Sequence, residues 1–401
     1  MIYQDCYLIL KYNLNLCFKS WSLNLKLLII VNVDWFFYSH RLPIAYEAKR
    51  KGYEVHIATL TTDKSIKNSL ISNGFNYHEI KFDRSGKSFL KLLNTFLSIV
   101  RLLSKIKPEI LHLVTTQPII FGGIAAKILR QKKVIFAISG LGHIFIKNSF
   151  FTSIRRIFVL TLYKISFSVK NRIIIFQNAS DEALLTKFCS LSPSETVIIP
   201  GSGVDLKKFY YTKPPKGIPI VLMASRLLIS KGVREFADAG KILKERGLKI
   251  KFKLVGQPDL LNPLSININE IKFWENQGYI EYLGYQKNIQ TLIKNSHLVV
   301  LPSYYPEGLP KVLCEAAACG RAIITTNRPG CRDCIEDGIT GKFVAPRDPV
   351  ELANVIFEII KNDKLISSMS IAARLRAEKL FCIKAIVAKH LDLYNQLAKL
   401  D

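Results

Sequence analysis

No stretch of the 401-residue sequence reaches about 18 uninterrupted apolar residues, so a membrane-spanning helix is not expected. With 21 Gly and 16 Pro the chain is too poor in both for a collagen or a low-complexity polymer. Its 49% hydrophobic and 22% charged residues exclude a disordered chain. The eight cysteines, at 6, 17, 189, 314, 319, 331, 334 and 382, form no disulfide framework. Cys331-Arg-Asp-Cys334 has no second pair at zinc spacing, so a reducing cytosol is expected and a metal is not. Acidic residues are scarce as well: 31 Asp and Glu face 57 Lys and Arg, a net charge of +26. Within 101–180, Glu109 is the one acidic residue against 13 basic ones. Such a block needs an anionic neighbour or tolerates self-repulsion. An anionic membrane surface, plain solvation and nucleic acid are the three readings it leaves open.

What the sequence has is rhythm. Leu25–Asn32, a short apolar run rich in branched residues, reads as a buried parallel strand. A helix near 41–51 closes at Gly52, and strands near 53–59, 75–81 and 110–114 alternate with helices near 64–73 and 87–106. Strands near 133–137 and 173–176 follow. Pro and Gly cluster over 201–217, which marks a linker. A second alternating series begins at Ile218, with strands near 250–255, 279–283, 298–301 and 322–325 and helices near 231–246, 286–295, 309–319 and 348–361. The fold class expected is α/β: two doubly wound sheets in series, with the active site in the cleft between them. The expected domains are 26–200, a linker 201–217, 218–375, and a C-terminal helix 376–401 free to cross back to the first domain. Residues 1–25 form an extension with neither a clear signal peptide nor an assigned role.

Two segments carry chemistry. After the strand Ile220–Ala224 come Arg226 and Lys231-Gly232, which open a helix. A guanidinium fork and a compact ammonium at a strand end can hold a diphosphate and stabilise it as it departs. The phosphate-cradling G-x-x-x-x-G-K-[ST] loop is absent. After the strand Leu298–Leu301 comes Glu307-Gly-Leu-Pro310, with Glu315 two helical turns further on. Gly308 permits close backbone approach, Pro310 suits a helix start, and the free N–H groups there attract phosphate. Two carboxylates at this spacing can accept hydrogen bonds from sugar hydroxyls.

Together, Arg226…Lys231-Gly232 and Glu307-x7-Glu315 within E-G-L-P-K-V-L-C-E-A-A-A-C-G resemble the retaining glycosyltransferases of family 4, with the GT-B fold. The resemblance runs from about residue 26 to 375. It implies that Arg226 and Lys231 bind the donor diphosphate and that Glu307 meets the donor sugar. It also implies that Gly308, Leu309 and Pro310 present backbone to sugar and phosphate, that Glu315 holds the ribose, and that Gly256 and Tyr285 border the base pocket. The donor is then a UDP-sugar. No cofactor or metal is implied: a D-x-D motif is absent, and the basic pair does the work of Mg²⁺.

The first half is expected to hold the acceptor. Asp34 and His40, in an aromatic segment without glycine, are candidates, with His112 at a strand end and His143 after Ser139-Gly-Leu-Gly. Relatives often carry H-x-H where Val114 follows His112 here. The most similar subset is bacterial and builds saccharides on undecaprenyl diphosphate. A hexose or N-acetylhexosamine transfer to such an acceptor is therefore expected, in surface polysaccharide or glycan synthesis. Basic and aromatic residues interleave over 147–164, as in a helix lying on anionic headgroups. The expected location is cytoplasmic, peripheral on the inner face of the cell membrane, with no nucleic-acid partner. The alternatives are a same-fold nucleotide-sugar epimerase and, in another class, a basic nucleic-acid-binding protein.

Overall fold

A computed structural model describes residues 25–83, 88–142, 150–259 and 262–400, without the side chains of 150–153. The N-terminal extension lies outside the described residues apart from Leu25, and His143 and Lys147 lie outside them too.

Seven strands form the first sheet: β1 (Lys26–Val31), β2 (Glu54–Thr59), β3 (Asn76–Glu79), β4 (Ile110–Val114), β5 (Lys133–Ala137), β6 (Asn171–Phe176) and β7 (Thr196–Ile198). Six form the second: β8 (Ile220–Ala224), β9 (Lys251–Val255), β10 (Glu281–Tyr282), β11 (Leu298–Leu301), β12 (Ala322–Thr326) and β13 (Gly341–Val344). Their orders are β3-β2-β1-β4-β5-β6-β7 and β10-β9-β8-β11-β12-β13, with the paired strands parallel. Central strands such as β4 are buried along their whole length. A strand of Ile, Leu and Val tolerates this only when helices cover both sheet faces.

Around the first sheet lie α1 (Asp34–His40), α2 (Leu42–Arg50), α3 (Lys64–Ser72), α4 (Phe89–Ile106), α5 (Gly123–Ile128), α6 (Phe150–Ser166) and α7 (Ala179–Cys189). Around the second lie α8 (Val233–Glu245), α9 (Ile268–Asn276), α10 (Ile289–Lys294), α11 (Lys311–Ala318), α12 (Cys331–Cys334), α13 (Pro349–Ile360) and α14 (Asp363–Leu380). The last helix, α15 (Ile383–Ala398), packs Ile386, Leu391 and Tyr394 into the core of the first domain. The chain thus passes between domains twice, and Val204 pairs with Cys382 where the two passages meet. Arg321 is fully buried but saturated by carbonyls, including Ser296 O at 3.1 Å, and it also bonds Thr212 of the linker. A buried guanidinium is tolerable when its donors are spent in this way.

Several elements differ from the sequence reading: β7, β13, α5, α7, α9 and α12 are not among those expected, and two further differences have a plain physical reason. Residues 32–43, expected as a connection, contain α1, whose four consecutive aromatics hide any helical period. α14 was not expected, because its buried face of Ile366, Met369, Ser370, Ala373 and Ala377 is made largely of small residues.

Strand order reverses between β1 and β4 in the first sheet and between β8 and β11 in the second. Ligand crevices open beyond the carboxyl ends of strands at such points. The segments that leave β1, β4, β8 and β11 therefore border the cleft, and they carry most of the residues singled out above.

Candidate active site

β8 ends at Ala224, and a single 3₁₀ turn, Ile229–Lys231, leads into α8. Gly232 sits between them at φ +80°, and a Cβ there would lie 2.4 Å from Pro302 O. That glycine brings the Lys231 turn against the segment leaving β11. There the Lys231 ammonium meets Glu307 Oε1 directly, and both side chains are largely buried. Glu307 Oε1 also accepts from Ser303 Oγ at 3.0 Å, and Glu307 N–H donates to Pro329 O at 3.0 Å. The carboxylate is thus fixed by a charge, a hydroxyl and its own backbone.

Arg226 stands at the same strand end but points elsewhere. Its Nη1 lies 3.4 Å from Asp259 Oδ2, and half of its side chain is exposed. Lys231 and Glu307 are thus brought together, while Arg226 stands apart from them on Asp259, a carboxylate that the sequence analysis does not identify.

Gly308 lies close against the first domain across the cleft. A Cβ on it would lie 2.3 Å from Gln177 Oε1 and 2.7 Å from the Ser139 backbone, both in the first domain. Gly140 answers from the other side: at φ +100°, a Cβ there would lie 2.7 Å from Gly308 N. Asn178, buried at the start of α7, donates to Glu307 O at 3.2 Å and Gly308 O at 3.0 Å. The same side chain caps α7, its Oδ1 accepting from Asp181 N–H at 2.9 Å, so one residue serves both the helix start and the bond across the domains. Burial raises the Asp181 carboxyl to about 6, an effect that the Asn178 side chain opposes and nearby Asp333 reinforces.

Leu309 is buried against Gly201 of the linker, so it offers the cleft its backbone and not its side chain. Pro310 is the N-cap of α11. On that helix Glu315 is buried, and loss of water raises its carboxyl to about 7, while Lys311 and Lys208 pull it back. Lys311 Nζ lies 3.9 Å from Glu315 Oε1. Gly256, at φ +136°, closes the β8 side: a Cβ would fall 1.9 Å from Ser225 O, so no other residue fits. Its carbonyl accepts from Tyr282 Oη at 3.0 Å. Tyr285 stands exposed nearby in the chain.

On the first domain, Asp34 is fully buried and spends its oxygens on Trp35 N–H, Thr62 N–H, Thr62 Oγ1 and Asp63 N–H. It pins the loop after β2 to the start of α1. His40 stacks flat on Phe36 at 4.1 Å, and its Nδ1 lies 2.5 Å from Ser39 Oγ. Burial, then the charges of Lys311 and Arg41, lower its pKa to about 3, so the ring is neutral at physiological pH. His112 is a correction. It is fully buried in β4, 2.6 Å from Tyr394 Oη of α15 and beside His390, beneath the C-terminal helix and not in the cleft. His112 is the middle residue of β4 and not its end, and its side chain lies on the sheet face that α15 covers. Cys331 and Cys334 are buried on α12, and burial first, then the charge of Glu307, pushes the Cys331 thiol up to about 12. Both act as packing. Among the described residues no group of three His, Cys, Asp or Glu side chains could hold a metal ion.

Comparison with known proteins gives the family. Residues 26–178 match the family model described as glycosyl transferase 4-like, and 207–376 match glycosyl transferases group 1. The chain is 28% identical over 376 residues to the N,N'-diacetylbacillosaminyl-diphospho-undecaprenol α-1,3-N-acetylgalactosaminyltransferase of Campylobacter jejuni, covering 90% of this chain and 96% of that one. It is 27% identical over 324 residues to the UDP-Gal:α-D-GlcNAc-diphosphoundecaprenol α-1,3-galactosyltransferase of Escherichia coli, covering 77% and 80%. Among solved structures, a glycosyltransferase from Rickettsia africae superposes with a TM-score of 0.72 at 21% identity, over 94% of this chain and all of that one, a likeness of fold. Neither the epimerase nor the nucleic-acid reading gains support from these relatives. With both halves matched, the chain is a glycosyltransferase of family 4 with the GT-B fold.

Proposed function

We propose that this enzyme moves a hexose or N-acetylhexosamine, with retention, from a UDP-sugar to a saccharide carried on undecaprenyl diphosphate. The observation that carries the reading is the Lys231–Glu307 pair, seated at the second sheet's switch point against Gly308. Two relatives named for diphospho-undecaprenol substrates, one of them also for UDP-Gal, support the substrate classes.

In this reading the diphosphate takes the Lys231 ammonium, and Arg226 leaves Asp259 to join it. Glu307, released, accepts from the donor sugar's hydroxyls. The backbone of Gly308, Leu309 and Pro310 lines sugar and phosphate, Glu315 accepts from the ribose, and Gly256 and Tyr285 border the base. As the glycosidic bond breaks, charge grows on the departing diphosphate, and the two cations stabilise it more than they do the ground state. These cations supply what a divalent ion would supply, so turnover should survive EDTA. Asp34 and His40 belong to the acceptor side through their place on α1, the first holding the helix and the second lining it.

The acceptor's lipid implies work at a membrane surface. Among the described residues no helix is long and apolar enough to cross one. α6 instead exposes Ile154, Ile157 and Phe158 alongside Arg155, and α4 exposes Phe89, Leu90 and Leu93. Apolar side chains rimmed by cations suit an anionic headgroup layer and a peripheral place on the inner face of the cell membrane.

The direct test is incubation with a panel of UDP-sugars and extracted lipid-linked acceptor, with mass measurement of the lipid. One added hexose or N-acetylhexosamine is expected; an unchanged lipid across the panel contradicts the reading. Replacing Arg155 and Arg156 by Glu should release the protein from anionic vesicles, and unchanged partitioning would remove the membrane assignment.

A further inference from the structure

The segment that leaves β11 yields one more side chain, Lys311, to which neither the motif nor the fold gives a task. It is the first residue of α11 and half-buried. Its ammonium donates to Ser39 O, across the cleft, at 2.7 Å. The same nitrogen lies 3.9 Å from Glu315 Oε1. Ser39 is in the last turn of α1, where carbonyls have no partner within the helix and a cation is favourable. α1 is thus held at both ends: by Asp34 within its own domain, and by Lys311 from the other. Trp35 and Tyr38 are exposed along it.

We propose that Lys311 is a positioning residue that latches the acceptor-side helix α1 to Glu315, so that a donor seated on Glu315 holds α1 in its working place. The inference rests on the assignment of Glu315 to the donor ribose. The ammonium donates to Ser39 O, and at 3.9 Å its charge also faces the Glu315 carboxylate, an electrostatic contact and not a hydrogen bond. A ribose that fixes the Glu315 carboxylate fixes the ammonium's second partner, and with it the grip on Ser39 O. The two substrates are coupled without touching, through one side chain.

Hydrogen exchange on the full chain, with and without saturating UDP, reads this directly. In the wild type and Lys311→Arg, UDP should slow the amides of α1 (34–41) together with those around Glu315. In Lys311→Met, protection around Glu315 should persist while that of α1 falls at least threefold. The KM for extracted lipid-linked acceptor should rise severalfold in Lys311→Met with kcat within twofold, and Lys311→Arg should restore it. A merely structural lysine would not separate KM from kcat in this way. Unchanged α1 protection in Lys311→Met overturns the latch. Glu315→Gln separates the two claims: if it binds UDP as the wild type does, the donor assignment fails and the latch falls with it. If Glu315→Gln loses UDP while Lys311→Met keeps α1 protection, the assignment stands and the latch alone fails.

Discussion

The two walls of the cleft are built on opposite plans. The second domain meets it with charged side chains paired to one another: Lys231 with Glu307, Arg226 with Asp259, Lys311 with Glu315. The first domain meets it with aromatics and a neutral histidine on α1, and its buried carboxylate, Asp34, has every hydrogen bond committed to the fold. In the proposed reading the difference follows from what each wall would handle. A nucleoside diphosphate carries its charge into the cleft and can displace a paired carboxylate. A sugar on a lipid presents hydroxyls and ring faces, which aromatic surface and neutral donors accommodate.

The comparison breaks most visibly at the pair itself. Glu307→Ala and Lys231→Ala should each lower turnover about 100- to 1,000-fold, some 3–4 kcal/mol of transition-state stabilisation, with the fold intact but the melting temperature lowered, since each leaves its buried partner unpaired. Near-wild-type rates in sugar-transfer assays would show that the charges on this wall are structural.

Glu315 sharpens the contrast through pH. Its carboxyl is raised from 4.5 to about 7 by burial, so ionising it costs the folded state. The wild type should lose stability as pH climbs through that window. Glu315→Gln has no charge to bury. It should match the wild type near pH 4 and exceed it by roughly 2–3 kcal/mol at pH 8, while binding UDP more weakly. Equal melting curves at both pH values would mean that the carboxyl is hydrated.

A smaller effect is expected at Asp34. Asp34→Asn turns an acceptor toward N–H groups into a partial donor, which should cost about 1–2 kcal/mol of stability and leave UDP affinity unchanged. Intact stability with transfer abolished would instead make Asp34 a reacting group, and the first wall would be chemical after all.

These two walls were not equally legible. Arg226, Lys231, Glu307 and Glu315 could be read because residues of these types follow strands at fixed offsets, with Gly308 and Pro310 fixing the local backbone. The fold was legible for a similar reason: buried parallel strands are apolar runs, and Gly and Pro punctuate them. The partners were not. Asp259, Ser303 and Asn178 lie 33, 4 and 129 residues from the groups they bond, and nothing local marks them. His112 misled because it lies mid-strand in β4, where an apolar run does not show which sheet face α15, returning from 282 residues away, will cover. α1 escaped notice because aromatics on every face erase a period.

The most direct measurement is a calorimetric titration of UDP into the wild type, Lys231→Met and Glu307→Gln. The account gives the diphosphate to Lys231 and the sugar, which UDP lacks, to Glu307. UDP affinity should therefore fall at least tenfold in Lys231→Met and hold or tighten in Glu307→Gln, while sugar transfer collapses in both. Equal losses of UDP affinity in the two variants, or none in either, would contradict it.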